Sequence, residues 1–259
     1  MKKLLIAMAV VLVLPLLFMG CSQANLGPVT TKDFDQKDFN NVEVNSSFQV
    51  ELVQGSDYSV AITAQEKLFD HISVKQNGAL LQINMEWGWG TWVSSWGFQR
   101  PKARISMPDL RILKLSGASK GSAVGFQTTY DTSVSVNGAS SLDVDIAAAN
   151  VSMDVSGASR LTGKVKGDYV RLQIDGASGA SLAGSAGTLD LQESGASHAD
   201  LEGLNAGTVN VDLSGASRAT VSPKDKMGVK ISGASSLTYT GSPSLEAIDV
   251  SGASTIHKK

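Results

Sequence analysis

The chain has 259 residues, 42% of them hydrophobic, and a formal net charge of −2. That is enough apolar material for one elongated body or two domains, and without a basic run beyond Lys258-Lys259 the chain lacks the electrostatic footprint of a nucleic-acid-binding protein. Its 26 glycines stand beside only six prolines in a chain that keeps a strand periodicity, so they mark corners rather than disorder.

Lys2 and Lys3 precede an apolar run from Leu4 to Phe18, and Met19-Gly20-Cys21-Ser22 follows. The run is shorter than the roughly 20 residues that cross a bilayer, and residues 1–20 read as a secretory signal. Leu17-Phe18-Met19-Gly20-Cys21 resembles the lipobox of bacterial lipoproteins, in which the signal is cut before a cysteine that carries the lipid. The resemblance implies lipidation (palmitate) at Cys21, attachment to the membrane through that residue, and, because Ser22 rather than Asp follows, sorting to the outer membrane. Cys21 is the only cysteine, which rules out an intrachain disulfide. Residues 21–39 are polar, contain Gly27-Pro28 and alternate little, so a tether is expected there.

Strand patterning starts at Val42 and Val44 and continues through Phe48, Val50 and Leu52, then Val60 and Ile62, Ile72 and Val74, and Leu81, Ile83 and Met85. Turns fall at Gln54-Gly55-Ser56-Asp57 and Gln76-Asn77-Gly78. We expect residues 40–112 to form irregular first coils that cap one end of a longer body. Within them Glu86 to Phe98 holds all four tryptophans of the chain, Trp87, Trp89, Trp92 and Trp96, interleaved with glycines. Two readings stand side by side: a loop folded over the end of the body, or an aromatic platform of Trp87, Trp89, Trp92, Trp96 and Phe98 that contacts a glycan, an envelope protein or lipid headgroups.

From residue 113 to 259 the chain repeats itself. Gly-Ala-Ser begins at Gly117, Gly138, Gly157, Gly176, Gly195, Gly215, Gly233 and Gly252, at intervals of 18 to 21 residues. Four positions before each glycine the residue is apolar: Leu113, Val134, Met153, Leu172, Leu191, Val211, Val229 and Ile248. Two positions before it, Leu115, Val136, Val155, Ile174, Leu213, Ile231 and Val250 are apolar and Glu193 alone is charged. The position between is always polar, which is the alternation of a strand with one buried face. A period near 19 is too short for paired-helix repeats and fits single β-coils that bury their apolar faces by stacking. The expected fold is therefore all-β: a right-handed single-stranded parallel β-helix, a solenoid with repeats of about 19 residues. Its corners need glycine for a positive φ, alanine for small size, and serine to bond the serine one coil away. For Glu193, a local bulge that turns the carboxylate outward is expected.

Phe39-Asn40-Asn41-Val42-Glu43-Val44, the Val50-to-Gly55 strand and turn, Met107-Pro108-Asp109-Leu110 leading into Leu115-Ser116-Gly117-Ala118-Ser119, and the serial Ser-Gly-Ala-Ser corners resemble the bacterial family called putative auto-transporter adhesin, head GIN domain. The resemblance covers roughly Phe39 to His257. It implies the fold and an adhesin-like role, and it brings no catalytic residues.

Chemistry-bearing patterns are sparse. Gly117-Ala118-Ser119-Lys120-Gly121 fits the Gly-x-Ser-x-Gly nucleophile elbow in letters only, since Ser119 is one of eight equivalent corner serines. His71, His198 and His257 are too far apart in sequence for a ligand motif, so no metal and no cofactor is expected. The function that follows is a cell-envelope lipoprotein whose β-helical domain acts by surface binding and not by turnover. The alternatives are a carbohydrate-active enzyme on a parallel β-helix, which would need carboxylates in a groove, and a purely structural envelope lipoprotein.

Overall fold

A computed structural model of the chain describes residues 26–86 and 99–259. Strands β1 to β7 are Val29–Phe34, Asn41–Val44, Gln49–Gln54, Ser59–Gln65, Ile72–Asn77, Leu80–Met85 and Lys102–Met107. Strands β8 to β12 are Ile112–Leu115, Lys120–Gln127, Thr132–Val136, Ser141–Ala147 and Asn150–Val155. The long β13 to β16 are Arg160–Ile174, Gly179–Glu193, His198–Leu213 and Arg218–Ile231, and β17 to β19 are Ser236–Tyr239, Ser244–Val250 and Thr255–Lys258.

Each repeat contributes one strand before its Gly-Ala-Ser corner and one after it, and the two kinds stack in two columns. The first column runs β8, β10, β12, the C-terminal halves of β13 to β16, and β18, all parallel. The second runs β9, β11, the N-terminal halves of β13 to β16, β17 and β19, again parallel. The result is a parallel β-solenoid of about eight turns. In-register stacking places Leu113, Val134, Met153 and Leu172 above one another, and each is fully buried. Burial of such rows is the main stabilising term, since a single coil has no second face to pack against. On the last coil Ile248 and Val250 belong to the same rows but are 48% and 46% exposed, because β18 has a parallel neighbour on one side only among the described residues.

The corner explains its own letters. Gly157 sits at φ +80°, and a Cβ there would lie 2.5 Å from the carbonyl oxygen of Gly138 in the adjacent coil. That carbonyl accepts the Ala158 N–H at 2.8 Å, so side-chain-free glycine is what lets successive corners nest. The small alanine is expected to be the corner residue that points inward, but the corner alanines from Ala118 to Ala253 are exposed, and it is the serines that turn inward, 1–3% exposed from Ser119 to Ser235. The amide of Ser119 donates to Ser140 Oγ, that of Ser140 to Ser159 Oγ, and that of Ser159 to Ser178 Oγ, at 3.2–3.3 Å. The ladder satisfies amides that the bend would otherwise leave buried and unpaired.

At the other end the chain order is not the stacking order. Strand β2 lies between β6 and β8, and β3 lies between β7 and β9, so the first coil packs directly on the first Gly-Ala-Ser coil and residues 59–107 fold back outside it. Antiparallel β5 closes the first column and antiparallel β4, then β1, close the second. The coil of β2 and β3 has its own corner at Asn45-Ser46-Ser47-Phe48, with Ser46 and Ser47 at φ 75° and 66° and the Phe48 amide donating to Ser119 Oγ at 3.2 Å. The tether expected over residues 21–39 is corrected by β1: Val29–Phe34 pairs along its whole length with β4, and Thr31 and Thr63 join hydroxyls across the pair at 2.7 Å. Backbone pairing and β-branched residues make this strand although only Phe34 of it packs, partly buried, against the core.

Candidate contact surface

Since every second side chain of the first column points inward, the residues between them form outward rows that run along the stack. One row is Asp131, Asn150, Tyr169 and Thr188, and beside it runs Ile112, Ser133, Ser152, Arg171, Asp190 and Asn210. Across β10 and β12 the second row carries only serine, while Arg111 and Ile112 stand on one side and Tyr169 and Arg171 on the other. The consequence is a depression of about 590 Å³ floored by Ser133 and Ser152, within the range of small-ligand sites.

Its walls are held in place. The Arg111 guanidinium lies 4.0 Å from the centre of the Tyr130 ring, a cation–π contact. Asn150 Nδ2 donates to Asp131 Oδ1 at 2.8 Å. The Tyr169 hydroxyl donates to Asp190 in a short hydrogen bond, and Asn210 Nδ2 holds the other oxygen of that carboxylate at 2.6 Å. The bond to Asp190 raises the Tyr169 pKa above its usual value, which keeps the phenol neutral. Tyr130 and Tyr169 are 49% and 37% exposed. A second, larger depression of about 950 Å³ lies round the bend, beside Tyr130, Lys166 and Asp168. Neither tyrosine was singled out from the sequence; the signal was there, a tyrosine in the longest coil interval and another at an outward position of β13.

The residues that the sequence does single out are placed as follows. Cys21 and the tryptophan segment, Trp87, Trp89, Trp92, Trp96 and Phe98, lie outside the described residues. Their flanks do not: the Glu86 amide bonds the His71 carbonyl at 2.8 Å, and the Gln99 amide bonds Gln65 Oε1 at 3.0 Å, so Glu86 and Gln99 both lie at the capped end of the stack. Ser119 is a buried rung of the serine ladder, not an exposed nucleophile. His71 is half-buried, and His198 and His257 are exposed on separate strands; among the described residues no three His, Cys, Asp or Glu side chains converge as metal ligands.

Glu193 corrects the expectation of an outward bulge. Its backbone stays in register between Ile174 of β13 and Leu213 of β15, and its side chain points into the core, 3% exposed. Ser197 Oγ donates to Oε2 at 2.9 Å and lies 3.1 Å from Ser217 Oγ, while Oε1 is buried without a partner. Burial, only partly opposed by the Ser197 bond, pushes the carboxyl up to about 7. The irregularities fall elsewhere, between Ser181 and Gly184 of the same strand and, in β15, between Leu201 and Asn205 and between Ala206 and Thr208; a bulge at Glu193 would break ladder bonds to both adjacent coils.

A two-column parallel solenoid with a filled interior and repeated outward rows defines a class of elongated all-β protein with its usable surface outside. The chain belongs to the family described as putative auto-transporter adhesin, head GIN domain, whose model matches residues 38–243. Solved structures share the fold. A putative adhesin from Parabacteroides distasonis is 16% identical with a TM-score of 0.80, over 90% of this chain and 98% of that one. A protein of the same organism described as a putative lipid binding protein is 15% identical with a TM-score of 0.80, over 90% and 97%. A putative adhesin from Parabacteroides merdae is 18% identical with a TM-score of 0.68, over 90% and 97%. Among curated proteins none matches the chain.

Proposed function

We propose that the chain is an exported, lipid-anchored rod of the cell envelope that acts by surface contact rather than by turnover. The observation that carries this reading is the filled interior: inward rows of apolar side chains and the buried serine ladder occupy the space between the two columns, so a ligand has to be met on the outside. The adhesin-like family supports it. The lipobox-like Leu17-to-Cys21 segment supports the anchor, because a mature lipoprotein's two or three acyl chains hold a membrane stably where one does not. The enzyme alternative draws no support from Glu193, whose carboxylate faces the core instead of a groove.

The anchor is tested in cells. Cys21→Ser is expected to move the protein to the soluble fraction or leave it uncleaved, and absence of labelled palmitate from the wild type would refute the anchor.

Contact is tested with the same Cys21→Ser chain as a soluble probe on isolated envelopes and envelope glycans. Replacing Trp87 and Trp92 together by alanine is expected to weaken binding at least tenfold while the melting temperature falls by no more than about 2 °C, the response of exposed indoles. If each single substitution instead costs about 3–5 kcal/mol of stability, as a buried aromatic does, and acrylamide leaves the fluorescence unquenched, the tryptophans are packing and a purely structural envelope role is the better reading.

A further inference from the structure

The depression across β10 and β12 has the composition of a site, and its chemistry is specific. Arg111 is stacked on Tyr130 but its side chain makes no ion pair or hydrogen bond among the described residues, so its guanidinium donors face solvent. Arg171 makes only long contacts, 3.3 and 3.4 Å, to the amide oxygens of Gln173 and Gln192. Two under-used guanidinium groups therefore border one open groove on a chain of net charge −2, the arrangement that receives a carboxylate.

The remaining wall asks for more than an anion. Tyr169 offers a partly exposed ring whose hydroxyl is fixed by Asp190, and a fixed aromatic face packs against the apolar face of a sugar ring. Asp131 and Asn150, joined to each other at 2.8 Å, leave acceptor and donor positions for ring hydroxyls. A floor of two serines at adjacent levels keeps the groove shallow, and the strands that bear its walls, β8 and β13, are three steps apart, about 14 Å at the usual parallel spacing. We propose that this groove binds an acidic oligosaccharide, with a sugar ring on Tyr169, the carboxylate of that ring at Arg171 and the carboxylate of a further unit at Arg111 across the groove. The inference rests on the contact reading above and adds a ligand class and a second surface to it.

The test is a calorimetric titration of the soluble Cys21→Ser chain with a uronic-acid trisaccharide, the corresponding neutral hexose trisaccharide, and triglutamate. Binding of the uronic-acid trisaccharide is expected, at least tenfold tighter than either of the others. Arg111→Gln, Arg171→Gln and Tyr169→Ala should each weaken it tenfold or more with unchanged thermal unfolding, while Lys230→Gln, on the outward face of a distant coil, should not. Absence of binding, equal binding of triglutamate or of the neutral sugar, or affinity indifferent to the three substitutions would overturn the assignment. Should the uronic-acid trisaccharide fail while envelopes still bind through the tryptophans, the groove assignment falls and the contact reading stands.

Discussion

Replacing Glu193 by leucine is expected to stabilise the protein at pH 8 by about 3 kcal/mol and to abolish a loss of stability that the wild type suffers between pH 4.5 and about 7. The carboxyl ionises near 4.5 in the unfolded chain and near 7 in the folded one, because its site between Ile174 and Leu213 is buried and Oε1 has no partner. Below 4.5 both states are protonated and the site costs nothing by titration. As the pH rises from there the unfolded chain gives up its proton first, so unfolding is increasingly favoured until the folded form also ionises; above 7 the penalty is constant. The rise, at about 1.4 kcal/mol per pH unit, sets the expected magnitude.

Leucine continues the row of Leu115, Val136, Val155 and Ile174 and removes the charge altogether. Glu193→Gln keeps a partner for Ser197 and should imitate the protonated form, flat across the same window. Urea midpoints of the three proteins at pH 4.5, 6 and 8 give the comparison; parallel pH profiles would show that the carboxyl is not buried as described.

The stack was legible in the sequence because parallel strands in register put chemically equivalent residues at one spacing. An inward row can be read down the page from Leu113 to Ile248, and the corner letters recur for reasons that the Gly157–Gly138 contact makes explicit. What escaped has physical causes. The corner at Ser46 and Ser47 does the work of a Gly-Ala-Ser corner without its glycine, accepting positive φ at two serines. Strand β1 packs only Phe34 against the core, and a single apolar residue does not separate its pattern from a polar linker. Glu193 looked like a residue that must escape, yet the paired backbone on both sides holds the register, and a carboxyl that keeps its proton is cheaper to bury than a broken ladder. The groove was illegible because it depends on Arg111, Ser133, Ser152 and Tyr169 lying side by side across coils, and outward residues follow no period that a single chain reveals.

A solenoid of this kind requires each coil to be an interchangeable layer, and that is open to a direct measurement. Removing Gly157 to Asp175 takes out one corner, the whole of β13 and the bend between its halves, and joins Ser156 to Gly176 in the same phase. Leu142 of β11 then meets Ala180 of β14 in place of Leu161 and Met153 of β12 meets Leu191 in place of Leu172, so the inward rows continue, with one weak point where Ile146 meets exposed Gly184 in place of Val165. The shortened protein is expected to unfold cooperatively and to show, by small-angle X-ray scattering, a rod shorter by about 4.8 Å. Deleting only residues 166–175 leaves a layer without its first-column strand and brings the next corner round half a turn early; that protein is expected not to fold. A one-period deletion that loses cooperative unfolding while the half-period deletion keeps it would contradict the layered stack on which the outward surface depends.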